Sequence, residues 1–256
     1  MLRVFSSIRK SLLAENKTVR YLKYAVGEVL LIMVGIILAL QFNDWNEERK
    51  NRDLERNFLH RIQRDLQEDL TEFKKQQEAG HRGVEALKEA VTLIHQENKE
   101  EDIYKFNQLY DVAAVQALKP QYSTYQELES TGQLNLIREE ALRVAIQNHY
   151  AIYRQLENHF NSFDEWHTMV TYQFEAETGI MKYVNWNRPI FPHEVLFDRD
   201  WAFINDPTHP HFVLTESAVA TSSFFVNYAL SEYSKIIPQT ESLQKKIAET
   251  LEALDK

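Results

Sequence analysis

Two kinds of hydrophobic pattern follow one another along the chain. Residues 24–42 read YAVGEVLLIMVGIILALQF, interrupted only by Glu28 and Gln41 among strongly polar side chains. Between Val29 and Leu40 every side of a helix would be apolar, leaving no face for water. As a helix the run covers ~28 Å, close to the hydrocarbon thickness of a bilayer. Tyr21 and Tyr24 precede it, while Phe42 and Trp45 close it, in the manner of an interfacial aromatic belt. The pattern predicts a transmembrane helix over 24–42.

Beyond residue 43 the pattern becomes one-sided. Leu54, Phe58, Leu59, Ile62, Leu66, Leu70 and Phe73 form one stripe, with charges such as Arg61, Arg64, Asp65 and Glu68 interspersed. This predicts an amphipathic helix over 43–78 that continues directly from the span and is interrupted by Gly80 and Gly83. A second helix, Val84 to Gln96, and a third, Asp102 to Leu118, are expected next, the latter stopped by Pro120. A short helix over Ser123–Ser130 should end at Gly132, and a long one over Arg138–Thr178 at Gly179. Pro189, Pro192, Pro207 and Pro210 crowd the following stretch, where a short helix is expected near Val195–Ile204. A final helix from about Thr215 to Leu254 is expected to kink at Pro238. The predicted fold is all-α: one N-terminal transmembrane helix, then an antiparallel helical bundle over 43–256 with an irregular, aromatic-rich excursion at 179–214.

Composition sharpens this picture. Six Gly and six Pro in 256 residues argue against β-sandwiches, barrels and glycine-rich phosphate loops. The absence of Cys excludes disulfides, thiolate metal sites and a cysteine nucleophile. Residues 1–23 carry +5 and residues 43–256 carry −13 of the formal charge of −9. Nucleic acid is therefore not an expected partner of the acidic body. Near the span, Arg9, Lys10, Lys17, Arg20 and Lys23 on the amino side face Arg49, Lys50, Arg52 and Arg56 on the other. That bias orients the amino terminus inside and the body outside. Ala39-Leu40-Gln41 lacks the small residue expected before a cleavage site, so the run reads as an uncleaved signal anchor. Phe5, Ile8 and Leu12, with Arg3, Arg9 and Lys10 among them, describe a basic amphipathic leader over 1–23. It suits an anionic inner leaflet as well as it suits a simple topology signal.

Two candidate sites emerge. Glu28, Gly35 and Ala39 fall within roughly 40° of one another on a helix. A carboxyl sharing a face with small residues is what helix–helix packing in lipid uses, so self-association or docking of a partner span is expected. The excursion gathers Tyr183, Trp186, Phe191 and Trp201 among other aromatics, with Arg188 as a polar neighbour. These residues form either a ligand or partner surface or an aromatic plug capping the bundle.

Tyr21–Lys50, YLKYAVGEVLLIMVGIILALQFNDWNEERK, resembles the signature of a bacterial family of single-pass membrane proteins, the domain of unknown function 6090. Tyr125–Ile137, YQELESTGQLNLI, is similar to that family's second recurrent motif. The resemblance implies a bacterial membrane protein with an amino-terminal anchor. It implies no catalytic residue, cofactor or substrate; the family's Glu within the span corresponds to Glu28, and its Gly after the short helix to Gly132.

Motifs for chemistry are sparse. A bundle di-metal centre needs two Glu-x-x-His pairs, and only Glu78–His81 exists, with Gly80 inside it. His149 and His167 lie ~27 Å apart along one helix and are expected as core histidines held by hydrogen bonds. His209 and His211, with Asp206 and His193, form an undiagnostic surface cluster. No Gly-x-Ser-x-Gly elbow, Walker loop or dinucleotide loop occurs. No cofactor, metal or catalytic residue is expected. The expected role is a membrane-anchored interaction or scaffold protein of the bacterial inner membrane, the alternative an extracytoplasmic ligand-sensing bundle that signals through a partner. The expected partners are the lipid bilayer and either a second copy or another membrane protein.

Overall fold

The computed structural model describes residues 18–96, 103–113, 118–183, 190 and 201–255. The leader pattern of Phe5, Ile8 and Leu12 lies outside the described residues. Five α-helices and no strand occur among the described residues: α1 (Thr18–His95), α2 (Ile103–Val112), α3 (Ser123–Ser130), α4 (Glu140–Thr178) and α5 (Pro210–Leu254). The fold is all-α, as the patterning predicts. The chain divides into two compact units, Met1–Glu55 and Arg56–Lys256.

Within the second unit the helices form four antiparallel columns. Column one is the later part of α1, and column two is α2 and α3 laid end to end. Lys105 pairs with Glu89 at 2.7 Å near one end, and Arg61 with Glu127 at 2.6 Å near the other. Column three, α4, returns along them, with Tyr110 Oη 3.3 Å from Thr171 Oγ1 and Tyr122 donating to Glu157 at 3.1 Å. Column four, α5, closes the bundle against both neighbours. It meets α4 through His167–Ser222 at 3.0 Å and Tyr153–Thr240 at 3.2 Å. It meets α1 through His95–Glu216, Lys74–Glu241 and the Arg56 bond to the Leu254 carbonyl at 3.0 Å. The stripe residues Phe58, Leu59, Ile62, Leu66, Leu70 and Phe73 are all buried, and only Leu54 of the expected set is exposed.

Several boundaries follow from local chemistry. Gly132 and Gly179 adopt φ of +68° and +67°, the left-handed conformation that ends α3 and α4 where the sequence indicates. α2 is shorter than the expected helix over Asp102–Leu118, ending at Val112, and Pro120 lies between it and α3. A 3-10 turn, Gln133–Leu136, follows Gly132. α5 starts five residues earlier than expected: Pro210 occupies its first turn, and His209 Nδ1 accepts the His211 N–H at 3.1 Å. The proline that reads as a breaker is a helix starter here, because its missing N–H is one that no helix would use. α5 continues through Pro238.

The expected break at Gly80 and Gly83 does not occur; α1 passes through both. Their role is close approach. A Cβ on Gly83 would stand 3.1 Å from Ala113 Cα, and one on Gly80 would stand 2.8 Å from Leu230 Cδ2. The first neighbour is backbone and the second is the end of a side chain that can rotate away. Gly83→Leu should therefore destabilise the protein by about 3 kcal/mol through overpacking. Gly80→Ala should remain within about 1 kcal/mol of the parent, since gained helix propensity offsets the contact. Thermal unfolding of the two variants checks the contrast.

Candidate functional site

α1 contains an 18-residue window of mean hydropathy 2.3, of which nothing is buried. By length and composition the segment is able to cross a membrane. Its large side chains, from Val29 through Leu40, stand exposed, as do Phe42 and Trp45, whose rings lie 6.0 Å apart. Gly35 and Ala39 are exposed too, and a Cβ on Gly35 would meet nothing within 4 Å. Glu28 is partly covered.

Of the excursion residues, Trp186, Arg188 and Phe191 lie outside the described residues, as does the side chain of Tyr183. Trp201 is described, and it sits in the core rather than on a surface, 1% exposed. Its ring lies 5.5 Å from Phe106 and 5.0 Å from Phe203, and Phe106 in turn meets Phe174 at 6.4 Å. This indole closes one end of the bundle between α2 and α4, so at Trp201 the aromatic-plug reading describes the packing. Trp201→Ala should cost about 3–5 kcal/mol, measured by denaturant unfolding.

The cluster at the foot of α5 is occupied with local structure. Asp206 accepts the Thr208 N–H at 2.9 Å, which together with the Thr208 hydroxyl holds its carboxyl below the usual range. His209 caps α5, as above. Among the described residues no three His, Asp or Glu side chains come together as a metal-binding set. Glu78 and His81 are both exposed. His167, half-buried, bonds Ser222, and burial lowers its pKa.

The chemically distinctive place is inside the bundle, where sequence reasoning put apolar side chains and histidines but no carboxylate. Asp65 and Asp69, one turn apart on α1, are 8% and 2% exposed. Asp69 Oδ1 accepts the Gln121 N–H at 2.9 Å, at the break between α2 and α3. Four tyrosines wall the carboxylates: Tyr125 stacks on Tyr150 with centroids 4.2 Å apart, and Tyr122 and Tyr153 meet the same ring edge-on or tilted. Tyr153 Oη reaches Thr240 Oγ1, which lies 3.4 Å from His149 Nε2. A polar path thus runs from α1 through α4 to α5. Beyond His149 lies a cleft of about 360 Å³ bordered by Ala145, Ile152, Pro238 and Leu243. Burial pushes the Asp69 carboxyl up to about 7 and the His149 imidazole down to about 4. Asp65 belongs to the core and not to the charged face. The signal was present in the spacing: Ile62, Asp65, Asp69, Phe73 and Gln76 recur at three and four residues along one face.

An all-helical protein with a long apolar segment near its amino terminus and a four-column bundle behind it is the class that these features define. The family model of DUF6090, a family of unknown function, matches residues 28–168, more than half of the chain. The chain belongs to this family. Neither the curated proteins nor the solved structures compared with it provide a match.

His149 yields a pH dependence. The unfolded imidazole binds a proton below about pH 6.5 and the folded one only below about pH 4. Between these values the unfolded state holds the extra proton, so folding stability falls as pH falls, by about 1.4 kcal/mol per pH unit for one proton. His149→Gln should remove that component: its stability relative to the parent should improve steadily from pH 6 to pH 4. Urea unfolding across that range measures it.

Proposed function

We propose that this protein is a membrane-anchored interaction or scaffold protein of the bacterial envelope, with no catalytic activity of its own. The observation that supports this reading is the exposed apolar segment of α1. Each large apolar side chain left in water forgoes about 1.5–3 kcal/mol of transfer free energy. A bilayer removes that penalty for all of them at once, and a helix satisfies its own backbone hydrogen bonds there. In this reading 24–42 is a single-pass signal anchor, with the amino terminus cytoplasmic and residues 43–256 periplasmic. The partners are the bilayer and a second copy or another membrane protein, met through the Glu28, Gly35 and Ala39 face.

Alkaline carbonate washing of membranes should leave the full chain in the pellet; release into the wash would overturn the anchor. Glu28→Leu and Gly35→Leu should each reduce in-membrane crosslinking between spans, and unchanged yield would remove the packing face from the proposal. Capture from gently solubilised membranes with quantitative mass spectrometry should return one stoichiometric membrane partner or the protein's own oligomer.

A second reading, a ligand-sensing bundle that signals through a partner, is favoured by a groove of about 860 Å³ between α1 and α5. Val84, Leu87, Val91, Ile94, Val219 and Ala220 supply its apolar lining. Under this reading an apolar ligand from a native-membrane extract should raise the melting temperature of the solubilised protein, and Val91→Asp should abolish that rise.

A further inference from the structure

We propose that the outer face shared by α4 and α5 is a docking surface for a basic, apolar-bearing segment of a partner protein. This rests on the scaffold reading above, to which it adds the partner's chemistry. Phe163, Trp166, Met169 and Tyr172 recur at every third position of α4, so they wind across its outer side as one ridge. The ridge continues onto α5. The Phe224 ring lies 5.5 Å from that of Phe163 and 5.9 Å from that of Trp166, and Tyr228 lies 4.6 Å from Phe163. Trp166, Met169, Tyr172 and Phe224 are 42–67% exposed. Among the described residues of the second unit, every exposed Phe, Tyr or Trp belongs to this face. Large aromatic side chains gathered in water at one place, rather than spread singly, mark an interaction surface.

Charge identifies the occupant. No Lys or Arg occurs from residue 155 to 181, nor from 210 to 234, while the first stretch holds five acids and the second two. Glu165 stands one turn from Met169 and two turns from Tyr172, beside the ridge. Glu232 acts electrostatically on Tyr228 at the other edge, and the first cation beyond, Lys235, is held by Glu232 at 2.7 Å. The face therefore offers apolar area and negative potential together. A segment carrying Lys or Arg beside apolar side chains gains from both, and its cation finds the Trp166 ring as a further electrostatic partner. The same charge argues against two other occupants. A second copy meeting through its own identical face would set acids against acids. An anionic lipid surface would be repelled by them.

The test uses the full chain in native membranes, with a photo-crosslinking benzoylphenylalanine in place of Met169 or of Phe224, one at a time. Both positions should give an adduct with one protein segment. Mass spectrometry of the crosslinked peptide should find Lys and Arg in excess over acids. Glu165→Lys should cut the yield about tenfold, and salt raised to about 0.5 M should cut it too, since screening weakens exposed charge pairs. Trp166→Ser should also cut it about tenfold, as loss of a central aromatic anchor does. The melting temperature of that variant in detergent should stay within about 3 °C of the parent, because an exposed side chain contributes little to folding. Should it melt lower, Glu165→Lys and the salt series decide the matter. The proposal is overturned if neither position gives a protein adduct, or if the adducts are with lipid or a second copy. It is equally overturned if the crosslinked segment carries no net positive charge, or if Glu165→Lys leaves the yield unchanged. Span crosslinking at Glu28 and Gly35 reports on the scaffold reading separately, so failure of one is distinguishable from failure of the other.

Discussion

The bond from the Gln121 N–H to Asp69 holds the bundle's one broken column in place. Three of the four columns are single long helices that satisfy their own backbone. The column built from α2 and α3 is not: it is interrupted at Pro120, and the Gln121 N–H lies outside both helices and takes its partner from another column. A carboxylate on α1 supplies it. That choice has consequences for everything nearby: a carboxylate in the core needs neighbours that are large, apolar in bulk and polar at the tip. Tyrosine meets all three conditions, and four of them gather there. Their hydroxyls in turn need partners, which Glu157 provides for Tyr122 and Thr240 for Tyr153. His149 then stands beside Thr240, buried and neutral.

One helix, α1, carries two hydrophobic patterns with different physical meanings. From Val29 to Leu40 the apolar residues surround the axis, and none of that window is buried by the chain. From Phe58 onward they occupy one face, and that face is buried. No breaker separates the two patterns; what changes is the angular spread of the apolar positions, from the full circle to a stripe. The glycines of α1 likewise obey packing rather than propensity. Gly80 and Gly83 weaken the helix locally, and in exchange the neighbouring columns approach closely enough for Ala113 and Leu230 to touch its backbone.

Much of the fold was legible in the sequence because it rests on local signals. The ends of α3 and α4 are fixed by glycines in the left-handed conformation, and the stripe from Phe58 to Phe73 is periodic enough to name the buried face. His149 was recognisable as a core histidine from its place on the apolar side of α4, while His167 on the same helix is only half-buried and bonds Ser222. What escaped was non-local. Whether Gly83 breaks a helix or admits a neighbour depends on Ala113, thirty residues on. Whether Asp65 faces water depends on Tyr150, in another column. Trp201 reads equally well as a surface anchor or a plug until Phe106 and Phe203 are placed around it. Periodicity names a face; it does not say what lies opposite.

The family match spans residues 28–168 and so contains the apolar segment together with Asp65, Asp69, Gln121 and all four tyrosines of the core. An apolar core of the same volume would be more stable, because removing buried charge and filling its place with hydrocarbon is commonly favourable. The polar cluster therefore serves something other than raw stability. One service follows from the register. Antiparallel helices lined with Leu, Ile and Phe tolerate sliding by a turn, since one apolar side chain replaces another. Slid by a turn, Asp69 would lose the Gln121 N–H and leave its carboxylate without that bond in the core. The penalty for the wrong register is thus far larger than an apolar seam could impose. Under the proposed scaffold function, a bundle that presents a fixed surface to a partner would need that kind of discrimination, and the cluster lies in the same family-matched stretch as the apolar segment of α1.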